Sequence, residues 1–118
     1  IASTDAANSG AIQIIGAGTS EVAISAGSMT ANLACVTTCT GGVATDIVLT
    51  VSAAARLNTA NATPTGATAF TLGTTPANAN LAAGNLWLLI GGSITPAANQ
   101  AAGTYSGTIQ INASYTGN

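Results

Sequence analysis

Polar and apolar residues alternate along the last segment of the chain. From 104 to 114 the even positions are Thr, Ser, Thr, Gln, Asn and Ser, whereas Tyr105, Ile109, Ile111 and Tyr115 occupy odd positions. Successive side chains of a β-strand point to opposite faces, so this pattern predicts one long, half-buried strand over residues 104–115. At about 3.3 Å per residue, such a strand would be roughly 40 Å long.

Short runs of β-forming residues precede this segment, separated by clusters of Gly, Asn, Pro and Ser. Residues 86–90 are apolar on both faces, which predicts a central strand or one covered on both sides. Residues 52–57 are compatible with one helical turn, and residues 58–84 are interpreted as loop around a strand at Phe70. The other predicted strands cover residues 11–15, 22–24, 29–34, 46–51, 68–72 and 93–95.

These runs predict an all-β sandwich of seven or eight strands in two packed sheets. A chain of 118 residues is expected to form a single domain, residues 1–118. The apolar side chains predicted to lie between the sheets are Ile47, Leu49, Val51, Phe70, Leu88, Ile109 and Ile111.

Charged residues are almost absent, and their scarcity excludes several function classes. Asp5, Glu21, Asp46 and Arg56 are the charged side chains of a chain that has no Lys or His and a formal net charge of −2. One Arg cannot form a phosphate-binding patch, so we expect no binding to nucleic acid. Acid–base catalysis needs a group that titrates near the working pH, and the three carboxylates are far apart in the sequence. We therefore expect no enzymatic activity, no cofactor and no metal site.

The hydropathy of the chain raises the question of a membrane protein. The strongest apolar run, residues 86–90, is five residues long, whereas a spanning helix needs about 20. We therefore expect no membrane-spanning segment. A surface with so few charges favours association, and two interpretations stay open: a subunit that buries its surface in a polymer, or a neutral surface adapted to harsh extracellular conditions.

The two cysteines lie four residues apart, at Cys35 and Cys39. Further ligands for a metal are missing nearby, and the segment lacks the C-x-x-C spacing of a redox site. The pattern therefore predicts a structural disulfide that closes a tight loop between two strands of a secreted protein. The enclosed loop is short, so the bond is expected to contribute roughly 2 kcal/mol.

The motif Ala102-Gly103-Thr104-Tyr105-Ser106-Gly107-Thr108 is the most specific part of the sequence. It resembles the C-terminal signature of a family of secreted bacterial domains of unknown function. It is also similar to the last strand of fimbrial pilins from chaperone–usher systems. The resemblance implies an immunoglobulin-like or pilin-like sandwich that is incomplete alone and is completed by an extended segment of a neighbour.

The function implied by this resemblance is that of a structural subunit in an extracellular, cell-surface filament, with identical subunits as partners. Tyr105, Ile109, Ile111 and Tyr115 would form the strand on which the neighbour docks. Residues 1–8 are small and polar, unlike the alternating large apolar residues of a pilin extension. The donor segment therefore lies upstream of residue 1, or it is the first strand with Ile12 and Ile14.

Residues 1–10 are accordingly interpreted as an extended N-terminal segment. The alternative function is that of a monomeric cell-surface adhesin or glycan-binding module, which would have a surface or glycan receptor.

Overall fold

A computed structural model describes residues 2–4 and 9–118, which fold into strands and loops without a helix. Eleven strands follow one another along this part of the chain, and all their ladders are antiparallel. They are β1 Gly10–Ile15, β2 Glu21–Ala26, β3 Thr30–Cys35, β4 Ile47–Val51, β5 Ala54–Asn58, β6 Thr68–Thr71, β7 Ala77–Asn80, β8 Asn85–Ile90, β9 Gly92–Thr95, β10 Tyr105–Ser106 and β11 Ile111–Tyr115. The predicted all-β fold is confirmed.

The strands form three sheets rather than two. The strand orders are β1-β8-β5-β6, β11-β2-β7 and β10-β3-β4-β9. The first two sheets enclose the main core, because Val22 and Ile24 of β2 and Leu86 and Leu88 of β8 are buried in one apolar cluster. Strand β8 lies between β1 and β5, which confirms that residues 86–90 form a central strand.

The third sheet extends the molecule along the direction of its strands. Val51 pairs with Gly92, and Arg56 pairs with Leu89, so four residues on one side of the ladder face two on the other. The two extra residues form a bulge where the chain passes from one sheet to the next. The resulting shape is elongated, with extents of 52 × 26 × 21 Å.

Two segments that were not predicted as strands pair within the sheets. The helical turn expected at residues 52–57 is wrong: Ala55 faces the core opposite Phe70, and the segment forms most of β5. Strand β7 lies in the region interpreted as loop, where Ala77 and Ala79 pair with core residues of β2. In both places Ala supplies the buried face, and its weak intrinsic preference for strands is overridden by packing.

The prediction of one continuous strand over residues 104–115 is also wrong. β10 pairs with β3 of the third sheet, whereas β11 pairs with β2 on the other side of a break at residues 107–110. A Cβ at Gly107 would lie 2.5 Å from the carbonyl oxygen of Asn32, so the chain crosses β3 at very close range here. Because of this break, residues 104–115 provide an outer strand to each of two sheets.

The predicted core residues differ in burial. Ile47, Val51 and Leu88 are buried, as expected. The other four are half-buried: Leu49, Phe70, Ile109 and Ile111. Two of them, Leu49 and Ile109, line the same surface cavity.

Candidate functional site

Two edge strands, β1 and β11, lie on the same side of the sandwich and leave a groove between them. β1 is the outer strand of one sheet, and β11 is the outer strand of the facing sheet. Gly10 and Ile109 line one cavity, and Ile14 and Tyr115 line another. Residue numbers therefore increase in the same direction along both strands, which run parallel on either side of what we call the edge groove.

The backbone of β11 is paired on one side. The Gly27 N–H donates to the Gln110 carbonyl at 2.8 Å, and the Thr116 N–H donates to the Glu21 carbonyl at 3.1 Å. Hydrogen-bonded pairs alternate along an antiparallel ladder, so the even-numbered residues point their backbone groups towards β2. The N–H and C=O groups of Ile111, Ala113 and Tyr115 consequently point to the outer edge, where no further strand pairs with them among the described residues.

The same alternation orients β1. The Gly16 N–H donates to the Gly84 carbonyl at 2.9 Å, in register with the β1–β8 ladder. The even-numbered residues of β1 therefore bond to β8, and the odd-numbered ones direct their backbone groups outward. Ile12 and Ile14 pair with the buried Leu88 and Leu86, so their side chains face the interior of the sandwich.

Two cavities of different size lie in line along the edge groove. The wide cavity, about 440 Å³, is bordered by Gly10, Ile90, Ile94 and Ile109 and reaches Leu49 and Val51 of the third sheet. The narrow cavity, about 110 Å³, is bordered by the C-terminal parts of β1 and β11 and by Val22 and Leu81. None of the described residues that line either cavity is charged.

Tyr115 closes the narrow end of the edge groove. Its hydroxyl accepts a hydrogen bond from the Ala17 N–H at 3.0 Å and so ties β11 to the turn after β1. Its cross-strand partner is the buried Val22, which places the ring on the inner face of the sheet, yet the side chain is 59% exposed. An inward-facing aromatic that is this exposed shows that nothing in the described chain covers the groove at this point.

The structure brings together three of the four residues predicted for the assembly strand. Ile109 lines the wide cavity, Tyr115 lines the narrow one, and Ile111 lies between them on the core. Tyr105 is separate: it belongs to β10 on the third sheet, and its hydroxyl donates to the Ala101 carbonyl at 2.8 Å. Their predicted role in docking stays a prediction.

The predicted donor residues Ile12 and Ile14 lie in β1, which forms a ladder of six residue pairs with β8 of its own chain. Their donor role is likewise a prediction. The N-terminal segment proposed for residues 1–10 falls partly outside the described residues. Within it, the Ser3 hydroxyl donates to the Ala54 carbonyl at 2.8 Å.

For some residues of the edge groove, the hydrophobic pattern of the sequence gave no indication that they would line it. Ile94 is 55% exposed because β9 is the outer strand of its sheet, and strand order cannot be read from a hydrophobic pattern. Ala113 fits the alternation of the last segment, but its small side chain gave no reason to single it out. Both residues lie at the groove because β9 and β11 are outer strands of their sheets.

The predicted disulfide is present between Cys35 and Cys39, whose Cα atoms are 6.4 Å apart. It lies at the end of β3 and is close in space to Gly103 of the Ala102–Thr108 motif: a Cβ at Gly103 would lie 2.6 Å from the Cys39 sulfur. Glycine is therefore required where the chain passes over the bridge.

The described residues offer little for chemistry elsewhere. No group of three or more His, Cys, Asp or Glu side chains among them is arranged to hold a metal ion. Glu21 accepts hydrogen bonds from the Thr116 hydroxyl at 2.7 Å and from the Asn118 amide at 3.3 Å, so this carboxylate fastens the end of the chain to β2. In this part of the chain no helix has the length and hydropathy needed to cross a bilayer.

The fold and the edge groove together define a charge-poor, all-β domain with one disulfide and an open apolar groove along one side. A family model described as "Domain of unknown function (DUF4402)" matches residues 1–115, and the chain belongs to this family. The expected membership in a family of unknown-function domains is thus confirmed, whereas the likeness to fimbrial pilins stays a prediction. No curated protein and no solved structure matches the chain.

Proposed function

We propose that this protein is a structural subunit of an extracellular filament, in which an extended segment of one subunit fills the edge groove of the next. The observation that carries the proposal is the pair of outer strands, β1 and β11, which flank one apolar groove and whose outer backbone edges pair with no further strand among the described residues. An added strand would satisfy these backbone groups and cover the apolar side chains beneath them.

The energetics of strand addition favour a partner with apolar side chains. Ile111, Ala113 and Tyr115 present three N–H and three C=O groups, and each hydrogen bond contributes about 1 kcal/mol net. Ordering the backbone of a five-residue strand costs about 5 to 10 kcal/mol. Backbone hydrogen bonds alone are therefore insufficient for stable binding of the added strand. Side chains that fill the two cavities must supply the remaining binding free energy, at about 1.5 to 3 kcal/mol each.

The surface composition supports the same function. A subunit that buries much of its surface in a polymer has little need of charge for solubility, and this chain has four charged side chains in 118 residues. The disulfide fits passage through an oxidising compartment. The donor in this proposal is the N-terminal region of a neighbour. If it includes Ile12 and Ile14, β1 must leave β8 and enter the next subunit.

Sedimentation and negative-stain electron microscopy of the native protein test this function. We expect non-covalent filaments of identical subunits that resist heat and detergent, because dissociation exposes the whole groove at once. A chain that sediments as a stable monomer and refolds alone to its full stability would overturn the proposal. The monomeric adhesin or glycan-binding module would then take its place.

A further inference from the structure

The two cavities of the edge groove differ fourfold in volume, about 440 Å³ against 110 Å³, and they lie at opposite ends. A cavity of about 150 Å³ is enough to hold a molecule of benzene. The wide cavity therefore accepts a large aliphatic or aromatic side chain with room to spare, whereas the narrow one falls below this volume.

The spacing between the cavities is set by the strands that border them. Gly10 and Ile14 lie four residues apart on β1, and Ile109 and Ala113 lie four residues apart on the other wall. Four residues of an extended chain span about 13 Å. Side chains at i, i+2 and i+4 share one face of a strand, so one added strand reaches both cavities with residues i and i+4.

The narrow end cannot widen without breaking a contact. Tyr115 borders the narrow cavity, and its hydroxyl accepts the hydrogen bond from the Ala17 N–H. On the opposite side the cavity is bounded by Val22 and Leu81, which are 3% and 2% exposed and belong to the main core. A large side chain directed into this end would have to displace the Tyr115 ring.

We infer that the partner of the edge groove is an uncharged extended segment of a second copy, with a large apolar side chain at position i for the wide cavity and a small one at i+4 for the narrow cavity. This inference rests on the proposed function and adds the side-chain pattern of the donor. The middle residue, i+2, lies over Ile111 and Ile12 and is apolar. The large residue sits at the Gly10 and Ile109 end, so the pattern also fixes which end of the donor lies beside Tyr115.

Two synthetic nine-residue peptides test the pattern. Both have Thr at the outward positions, Ile at i and Val at i+2; the first has Ala at i+4 and the second has Phe. The full 118-residue chain is refolded with each labelled peptide, and binding is measured by fluorescence anisotropy. We expect the Phe peptide to bind at least tenfold more weakly, although its apolar surface is larger. Non-specific hydrophobic binding would give the opposite order.

A variant of the protein provides the matched control. Tyr115→Ala opens the narrow end, and because Tyr115 is outside the core cluster we expect the fold to be retained by circular dichroism. The Phe peptide should bind this variant at least tenfold better than it binds the wild-type chain, while the Ala peptide should gain nothing.

The outcomes separate this inference from the proposed function. If the native protein forms filaments but the Phe peptide binds the wild-type chain as tightly as the Ala peptide, or neither peptide binds, the donor pattern is wrong and the filament function stands. If the native protein is a stable monomer, the proposed function is wrong and the inference falls with it.

Discussion

Replacing Ala113 by Asp should abolish assembly and leave the fold intact. Ala113 pairs with Ile24, which is fully buried, so its side chain faces the interior of the sandwich; yet Ala113 itself is exposed because the edge groove is open. In the isolated subunit the new carboxylate would therefore remain in water. Once a strand fills the groove, the same carboxylate would be covered by apolar side chains.

The size of the effect follows from the cost of burying an unpaired charge. No cationic side chain lines the groove, and the single Arg of the chain, Arg56, lies on β5, two strands away from β1 in its sheet. An uncompensated buried charge costs about 3 to 5 kcal/mol. Because about 1.4 kcal/mol corresponds to a factor of ten, the concentration needed for assembly should rise roughly a hundredfold to a few thousandfold.

Asn112→Asp is the matched control for this variant. Asn112 is the neighbouring residue on β11, it is exposed on the outer face, and its side-chain oxygen already accepts a hydrogen bond from Gln110 at 2.9 Å. Both substitutions add one negative charge. Ala113 is also a better choice than Ile111, whose side chain packs on the core and whose replacement would perturb folding.

Sedimentation over a range of protein concentrations compares the three proteins, with circular dichroism to verify the fold. We expect the Asn112→Asp protein to assemble like the wild type and the Ala113→Asp protein to remain monomeric. If Ala113→Asp assembles at the wild-type concentration, the inner face of β11 is not covered in the polymer and the reasoning fails.

Three further predictions concern the donor, the disulfide and the break in the last segment. Ile15 and Asn85 form a non-hydrogen-bonded pair, so the double variant Ile15→Cys with Asn85→Cys should form a disulfide that locks β1 to β8. Oxidation of this variant should block assembly if β1 is the donor, whereas unimpaired assembly would assign the donor to another segment. Replacing Cys35 and Cys39 by Ser should lower the free energy of unfolding in urea by about 2 kcal/mol, and a loss well above this value would show that the bridge supports more than its loop. Gly107→Ala should lower the melting temperature through a cost of about 1 to 3 kcal/mol, because the added methyl meets the Asn32 carbonyl; an unchanged melting temperature would contradict the close crossing.

The alternation in the last segment predicted the orientation of its side chains but not their strand partners. Ile109 and Ile111 face the core, as the pattern indicated. The same pattern continues through Gly107, where the chain leaves β3 and moves to β2. Alternation depends on local backbone geometry, whereas the change of sheet depends on contacts with strands 70 or more residues earlier in the chain.

The Ala-rich segments show a second limit of sequence interpretation. Ala55 belongs to the apolar core and Ala79 packs against it, but such a small side chain contributes very little to a hydrophobic pattern in the sequence. The edge groove is harder still to predict, because it requires β1 and β11 to be outer strands on the same side of the sandwich. Whether a strand is an outer strand depends on the order of all the strands in its sheet.

A cryo-electron microscopy reconstruction of the native assembly, at a resolution that separates strands, tests the central claim most directly. The account predicts continuous density for an extended segment of a neighbouring subunit beside β11, hydrogen-bonded to the outer edge of Ile111, Ala113 and Tyr115. Filaments whose subunits touch through other surfaces while the edge groove stays unfilled, or a protein that forms no filaments at all, would contradict it.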